Sequence, residues 1–239
     1  GYQAMESTSA TNQNASYNTA VGYHALESIT DADYNTAIGQ AAGQNIEGGS
    51  GQNVFIGNSA GITSVTSAFN IMIGVSAGLA ATDVDKTVLI GWNAGRNTTA
   101  DGTMAIGYEA GYSLTSGGSN VAIGYRAGKS LTTSQKNIII GYQTGENAST
   151  DSNVIVGTNA GRNITTGGGE NVVIGTSAAE NASDIEDSVL IGTQAGLNSS
   201  GSRRSVSIGW YAGQGLNDGR NNVFMGYTAG RYISGSDNT

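Results

Sequence analysis

Side chains that commonly carry chemistry are few and scattered in this chain. The single histidine is His24, and cysteine is absent. A Ser–His–acid arrangement would have to use His24, and no G-x-S-x-G elbow accompanies it. His24 therefore reads as a surface side chain. Acidic groups stand close together at Asp31/Asp33, Asp83/Asp85 and Asp184/Glu186/Asp187. Paired carboxylates can hold calcium or share the acid and base work of a glycosidase. These pairs fall in unrelated variable segments and match no calcium-loop pattern, so they read as solvated loop. GGSG (48–51) and TGGGE (166–170) are glycine-rich, but no helix or lysine follows to make a phosphate cradle. N-x-[ST] triplets such as Asn97-Thr98-Thr99 and Asn147-Ala148-Ser149 are what a chain rich in Asn, Ser and Thr produces by chance. No catalytic residue, metal site or cofactor is expected, and no enzyme.

One chemically capable set is ordered. Trp92, Tyr108, Tyr125 and Tyr142 recur at intervals of 16 or 17 residues, each following a glycine. Aromatics at the same place in successive coils stack and stabilise them. The sharper reading is a strip on which sugars stack.

The elements that position such a ladder follow from the repeat. The glycine after a short apolar triplet falls at 22, 39, 57, 74, 91, 107, 124, 141, 157, 175, 192, 209 and 226, thirteen copies spaced by 16 to 18 residues. Four residues before it stands Asn in nine copies and Ser or Thr in four. Immediately before it stands Ile in ten, and three after it Ala in twelve. A further Gly follows that Ala in eleven copies. The rest of each copy is turn chemistry, rich in Ser, Thr, Asn, Asp and Gly. Tyr2–Met5 (YQAM) reads as the tail of another copy and Asn238–Thr239 as the start of one more, so the 239 residues are expected to be one repetitive segment, 1–239, of a longer protein.

Triplets such as VFI, IMI, VLI and III are β-branched, short and bounded by turn residues, as strands are. An unbroken period of this length marks a solenoid with one coil per repeat. The expectation is an all-β fold: a parallel β-solenoid, or β-roll, of about thirteen 16–18-residue coils, roughly 60 Å long at about 4.8 Å per coil. Glycine suits the corners, at Gly57, Gly74, Gly91, Gly124, Gly141 and Gly192 among others, because it accepts backbone conformations closed to other residues. The stacked Asn side chains suit a hydrogen-bonded ladder.

Alternate side chains of a strand face opposite sides. The residues one and three before the glycine share a face, and both are mostly apolar. The middle residue faces the other way and is apolar in twelve of thirteen copies. A strand apolar on both faces is buried on both, and a 17-residue coil has one thin interior. The middle column, with Phe55, Met72, Leu89, Ile139, Ile155, Val173, Leu190 and Phe224, is therefore expected at an interface between copies wrapped round a common axis, a homotrimer or, on the same pattern, a dimer.

The pattern N-x-x-[IV]-G-x-x-A-G with a polar spacer, as in SYNTAVGYHALESITDADYNTAIGQAAG (16–43), resembles the NTAVG/NTAIG-type repeats of phage tail fibres. It is similar also to the head repeats of trimeric autotransporter adhesins, built on an SVAIG-type core, though those are typically shorter. The resemblance covers nearly the whole chain. It implies a trimer of parallel β-rolls on the outside of a virion or a bacterial cell, acting as a fibre shaft or receptor-contact region. Its partners would be two more copies of itself and a host cell-surface glycan or protein receptor. The alternative is an adhesin head on a bacterial surface. An ice-binding solenoid, for which only Thr158, Thr176 and Thr193 stack in one column, and a polysaccharide-degrading β-helix are weaker readings.

Composition excludes other classes. The net charge is -8 with ten basic residues, a poor counterpart for nucleic-acid phosphates. No apolar run approaches the roughly 20 residues of a membrane-spanning helix. No signal peptide or charged n-region is visible in these residues, and a chain without cysteine suits any redox compartment.

Overall fold

The computed structural model describes residues 3–5, 14–49 and 51–238; Tyr2 and Thr239, read above as parts of further repeats, lie outside them. The described residues form strands, turns and bends and no helix. They fall into two compact units, Gly1–Ser119 and Asn120–Thr239, built on the same coil.

Among its described residues the first unit carries six three-residue strands: β1 (Thr19–Val21), β2 (Thr36–Ile38), β3 (Val54–Ile56), β4 (Ile71–Ile73), β5 (Val88–Ile90) and β6 (Met104–Ile106). Each pairs with the next, parallel and residue for residue, so that Ala37 meets Phe55 and Phe55 meets Met72. The chain is a parallel β-solenoid, one coil per repeat. Triplets, not longer runs, suffice because every coil is held by its neighbours on both sides.

In the second unit the main sheet contains β7 (Val121–Ile123), β8 (Ile138–Ile140), β9 (Val154–Val156), β11 (Val172–Ile174), β13 (Val189–Ile191), β15 (Val206–Ile208) and β16 (Val223–Met225), in register throughout. A second sheet of three strands comes from the spacers: β10 (Thr166–Gly169), β12 (Asp184–Glu186) and β14 (Ser202–Arg203). TGGG, DIE and SR carry no strand signature. They pair because coil stacking lays them side by side. TGGG, which its glycines mark as turn chemistry, is thus a strand.

Each coil turns through left-handed backbone. The corner glycines have φ near +130°, for instance +131° at Gly57, +133° at Gly74 and Gly91, +128° at Gly124, +138° at Gly141 and +132° at Gly192. A Cβ on Gly74 would also stand 2.4 Å from the carbonyl oxygen of Gly91 in the next coil. The residue two further on is left-handed as well, whatever its type: φ is 57° at His24, 56° at Ser59 and 54° at Asn93. So is the residue five before the glycine, with φ of 58° at Tyr34, 61° at Phe69 and 58° at Lys136. Such conformations cost a non-glycine residue roughly 1–2 kcal/mol each, and intercoil pairing offsets them.

The buried Asn column is one source of that offset. Asn35 Oδ1 accepts from the backbone N of Asn53 at 3.0 Å and from Asn53 Nδ2 at 2.9 Å. Asn70 then bonds to Asn53 in the same way, and its Nδ2 donates to the Val84 carbonyl. In the second unit the ladder runs Asn120–Asn137–Asn153–Asn171. These side chains are about 1% exposed or less. Asn is required because each rung accepts through its oxygen and donates through its nitrogen. Where Ser stands instead, its hydroxyl still accepts from the next backbone N, as Ser188 does from Ser205. Asn238 bonds to Asn222 as a further rung, and Met5 N donates to the Ala25 carbonyl as the equivalent glycine does in later coils.

The interior corrects one expectation. Phe55, Met72, Leu89, Ile139, Ile155, Val173, Leu190 and Phe224 are not at a surface between copies; all are 5% exposed or less within a single chain, filling its own coils. The reason lies in a second column, seven residues after the corner glycine. Where the middle residue is Ala105 or Ala122, that column holds Leu114 or Leu131. Where the middle residue is Phe55, Met72 or Ile139, it holds Ser64, Ala81 or Ala148. Both columns are buried. Most coils thus pair one large with one small side chain, as close packing demands, although Ile155 with Ile164 and Phe224 with Ile233 are large in both columns. A Cβ on Gly61 would stand 2.3 Å from the Phe55 ring, which is why glycine follows the wall alanine.

Candidate functional site

With the middle residue inside, the residues one and three before the corner glycine face out. They are Val or Ile in most coils and are partly exposed: most stay below the 36% of Ile140 and Ile174, while Val21 reaches 55% and Met225 68%. Of the chain's 28 charged residues, none stands in either column. Polar residues also enter little: Thr19 and Thr36 are the two in both columns together. The inference of two apolar faces on one strand stands, with the faces exchanged. An uncharged apolar strip repeated in coil after coil is unlike the isolated exposed apolar residues of ordinary surfaces.

The strip has aromatic margins. On one side is the column that follows the corner glycine. Trp92 and Tyr108 stack at 4.7 Å with 15° between their planes, and Tyr125 and Tyr142 at 5.1 Å with 10°. Arg126 lies over the Tyr125 ring at 5.2 Å. All four rings are partly exposed. Stacking turns ring faces toward the neighbouring ring and ring edges toward solvent, whereas a sugar packs on an open face. On the other side is the column five before the glycine. Tyr17 and Tyr34 stack there at 4.8 Å and 5°, a second ladder that the sequence pattern did not single out. Its signal was the spacing of 17 residues between two Tyr-Asn-Thr-Ala segments.

The side chains that could carry chemistry stand apart from one another. His24 Nδ1 lies 2.8 Å from Glu27 Oε1, off hydrogen-bond geometry, with the Tyr23 ring edge-on at 3.7 Å. Asp33 and Asp85 cap neighbouring coils, accepting from the backbone N of Ser16 at 2.6 Å and Ala68 at 2.7 Å. Asp83 accepts from both the backbone N and the hydroxyl of Thr66. Asp184 and Glu186 each approach Arg203 at 3.3 Å. These carboxylates tie coils together. Among the described residues no three His, Cys, Asp or Glu side chains gather as a metal site.

The N-x-[ST] triplets have a physical basis that chance did not suggest. Asn147, Asn163, Asn181 and Asn198 form a second ladder, exposed or half-exposed, with Nδ2–Oδ1 distances of 2.9, 3.1 and 3.0 Å. Their spacing equals the coil period, which was the available signal.

Comparison with protein-family models, with curated proteins and with solved structures finds no match to this chain.

Proposed function

We propose that this chain is a structural segment, shaft or receptor-contact region, of a homotrimeric phage tail fibre that mediates host attachment outside the cell. The observation that carries the reading is the outward apolar strip: uncharged, partly exposed and present in coil after coil. Apolar surface of that continuity favours association, at roughly 25 cal/mol per Å² removed from water. Two more copies of the chain supply what it lacks. The resemblance of the N-x-x-[IV]-G-x-x-A-G repeat to tail-fibre repeats supports the setting. Reach and stiffness come from in-register pairing, and three copies of every loop round an axis strengthen a weak contact with a host glycan or protein receptor by avidity. Specificity would lie in the variable spacers, since the repeated columns are committed to the coil.

Light scattering on the purified chain tests the assembly. A mass near three times 24.1 kDa is expected, and 24.1 kDa would contradict the reading.

A further inference from the structure

Charge on one margin of the outward strip goes with one class of residue on the other, although aromatics also stand opposite Tyr17, Gly102, Ser119 and Asn221. One margin is the residue five before the corner glycine, the other the residue just after it. Where the first holds a cation, the second of the same coil holds an aromatic: Lys86 with Trp92, Lys136 with Tyr142, and Arg204 with Trp210. Where the first holds an acid, at Glu170 and Asp187, the second holds threonine, at Thr176 and Thr193. Phe69 goes with Val75.

Within the chain these partners do not meet. The three-residue strand, the ladder Asn, Thr or Ser and the corner glycine lie between them, about 20 Å of near-extended chain at some 3.3 Å per residue. A cation–π contact spans about 6 Å. Lys86, Lys136 and Arg204 are exposed, and among the described residues the cation–π contacts within each unit use Arg96, Arg126 and Arg231. Matching of the same kind in the interior, Phe55 with Ser64 and Ala122 with Leu131, reflects side chains that share one buried space. Matching across the strip calls for a second molecule to bring the margins together.

We infer that copies of this chain pack, in the second unit, around an axis parallel to that unit's coil stack, in register, so that the Lys136–Arg204 margin of one copy lies against the Tyr142–Trp210 margin of the next. Cyclic symmetry about such an axis sets each margin against the opposite margin at its own level. An antiparallel pair would set each coil against a coil of a different level and lose the match. The inference rests on the assembly proposed above and adds its direction, its register and its contacts.

The chain has no cysteine, so crosslinking tests it directly. In one variant Lys136→Cys is combined with Tyr142→Cys, in a second Arg204→Cys with Trp210→Cys, and in a mismatched control Lys136→Cys with Trp210→Cys. Each is treated with a short bismaleimide and run on denaturing gels, after circular dichroism has shown native strand content. Both matched pairs are expected to give covalent trimers, and the mismatched pair single chains. Matched pairs that stay single chains in a particle weighing three chains would overturn the register while leaving the assembly standing, as would equal crosslinking by the mismatched pair. A native mass of one chain would overturn both.

Discussion

Leu89 and Ile90 are neighbours in the same three-residue strand, and their side chains have the same number of carbons. Leu89 is fully enclosed by its own chain, while Ile90 looks out of the coil and keeps part of its surface in water. The inner residue has a partner inside the chain, the column seven after the corner glycine, which in most coils is small where the inner residue is large. The outer residue has none within the chain. Apolarity marks both faces alike; only the compensating column tells which face the chain fills by itself.

Placing a charge on each neighbour breaks the comparison most sharply. Leu89→Asp buries an unpaired carboxylate, for which a loss of several kcal/mol is expected, with collapse of the far-ultraviolet strand signal. Ile90→Asp is expected to keep that signal, because the carboxylate stays in water, and to lose only assembly. Equal damage from both would end the distinction between the faces.

The compensating columns can be tested next. Phe55→Ala should cost about 3–5 kcal/mol in urea unfolding, the range for emptying an aromatic from a core. Adding Ser64→Leu to it recreates the Ala122–Leu131 arrangement and is expected to recover a large part of the loss. No recovery would show that the two columns do not share one space.

A corner change follows in size. Gly74→Ala places a Cβ 2.4 Å from the Gly91 carbonyl at a φ of +133°, and a loss of about 3 kcal/mol is expected in the same assay. The two Asn ladders give the finest contrast. Asn153→Ala leaves the backbone N and Nδ2 of Asn171 buried without their acceptor, a cost of about 1–3 kcal/mol. Asn163→Ala, in the exposed ladder, should stay within about 0.5 kcal/mol, since water replaces the lost bond.

Much of the coil was legible in the residues. The corner glycines, the Asn column and the strand triplets announce themselves by spacing, because each coil must match its neighbours. The sidedness of the strand was not, since Phe55 and Ile56 are both apolar and alternation alone does not choose the inside. The answer lay in Ser64 and its column, whose polar or small residues look like loop until set against the middle residue. The second sheet was hidden because Thr166–Gly169 and Asp184–Glu186 owe their strand conformation to stacking and not to propensity. The left-handed corners at Tyr34, Phe69 and Lys136 were hidden for a similar reason: none of these residues favours positive φ, and the in-register fold imposes it.

The central claim, that the chain fills the inner face and further copies cover the outer one, is tested most directly by weighing two proteins side by side. Light scattering is applied to the native chain and to a variant carrying Ile73→Asp and Ile140→Asp, one outward residue in each unit, with circular dichroism recorded for both. The account predicts a native mass near three times 24.1 kDa and a variant mass near 24.1 kDa with unchanged strand signal. A variant that keeps the native mass would contradict it.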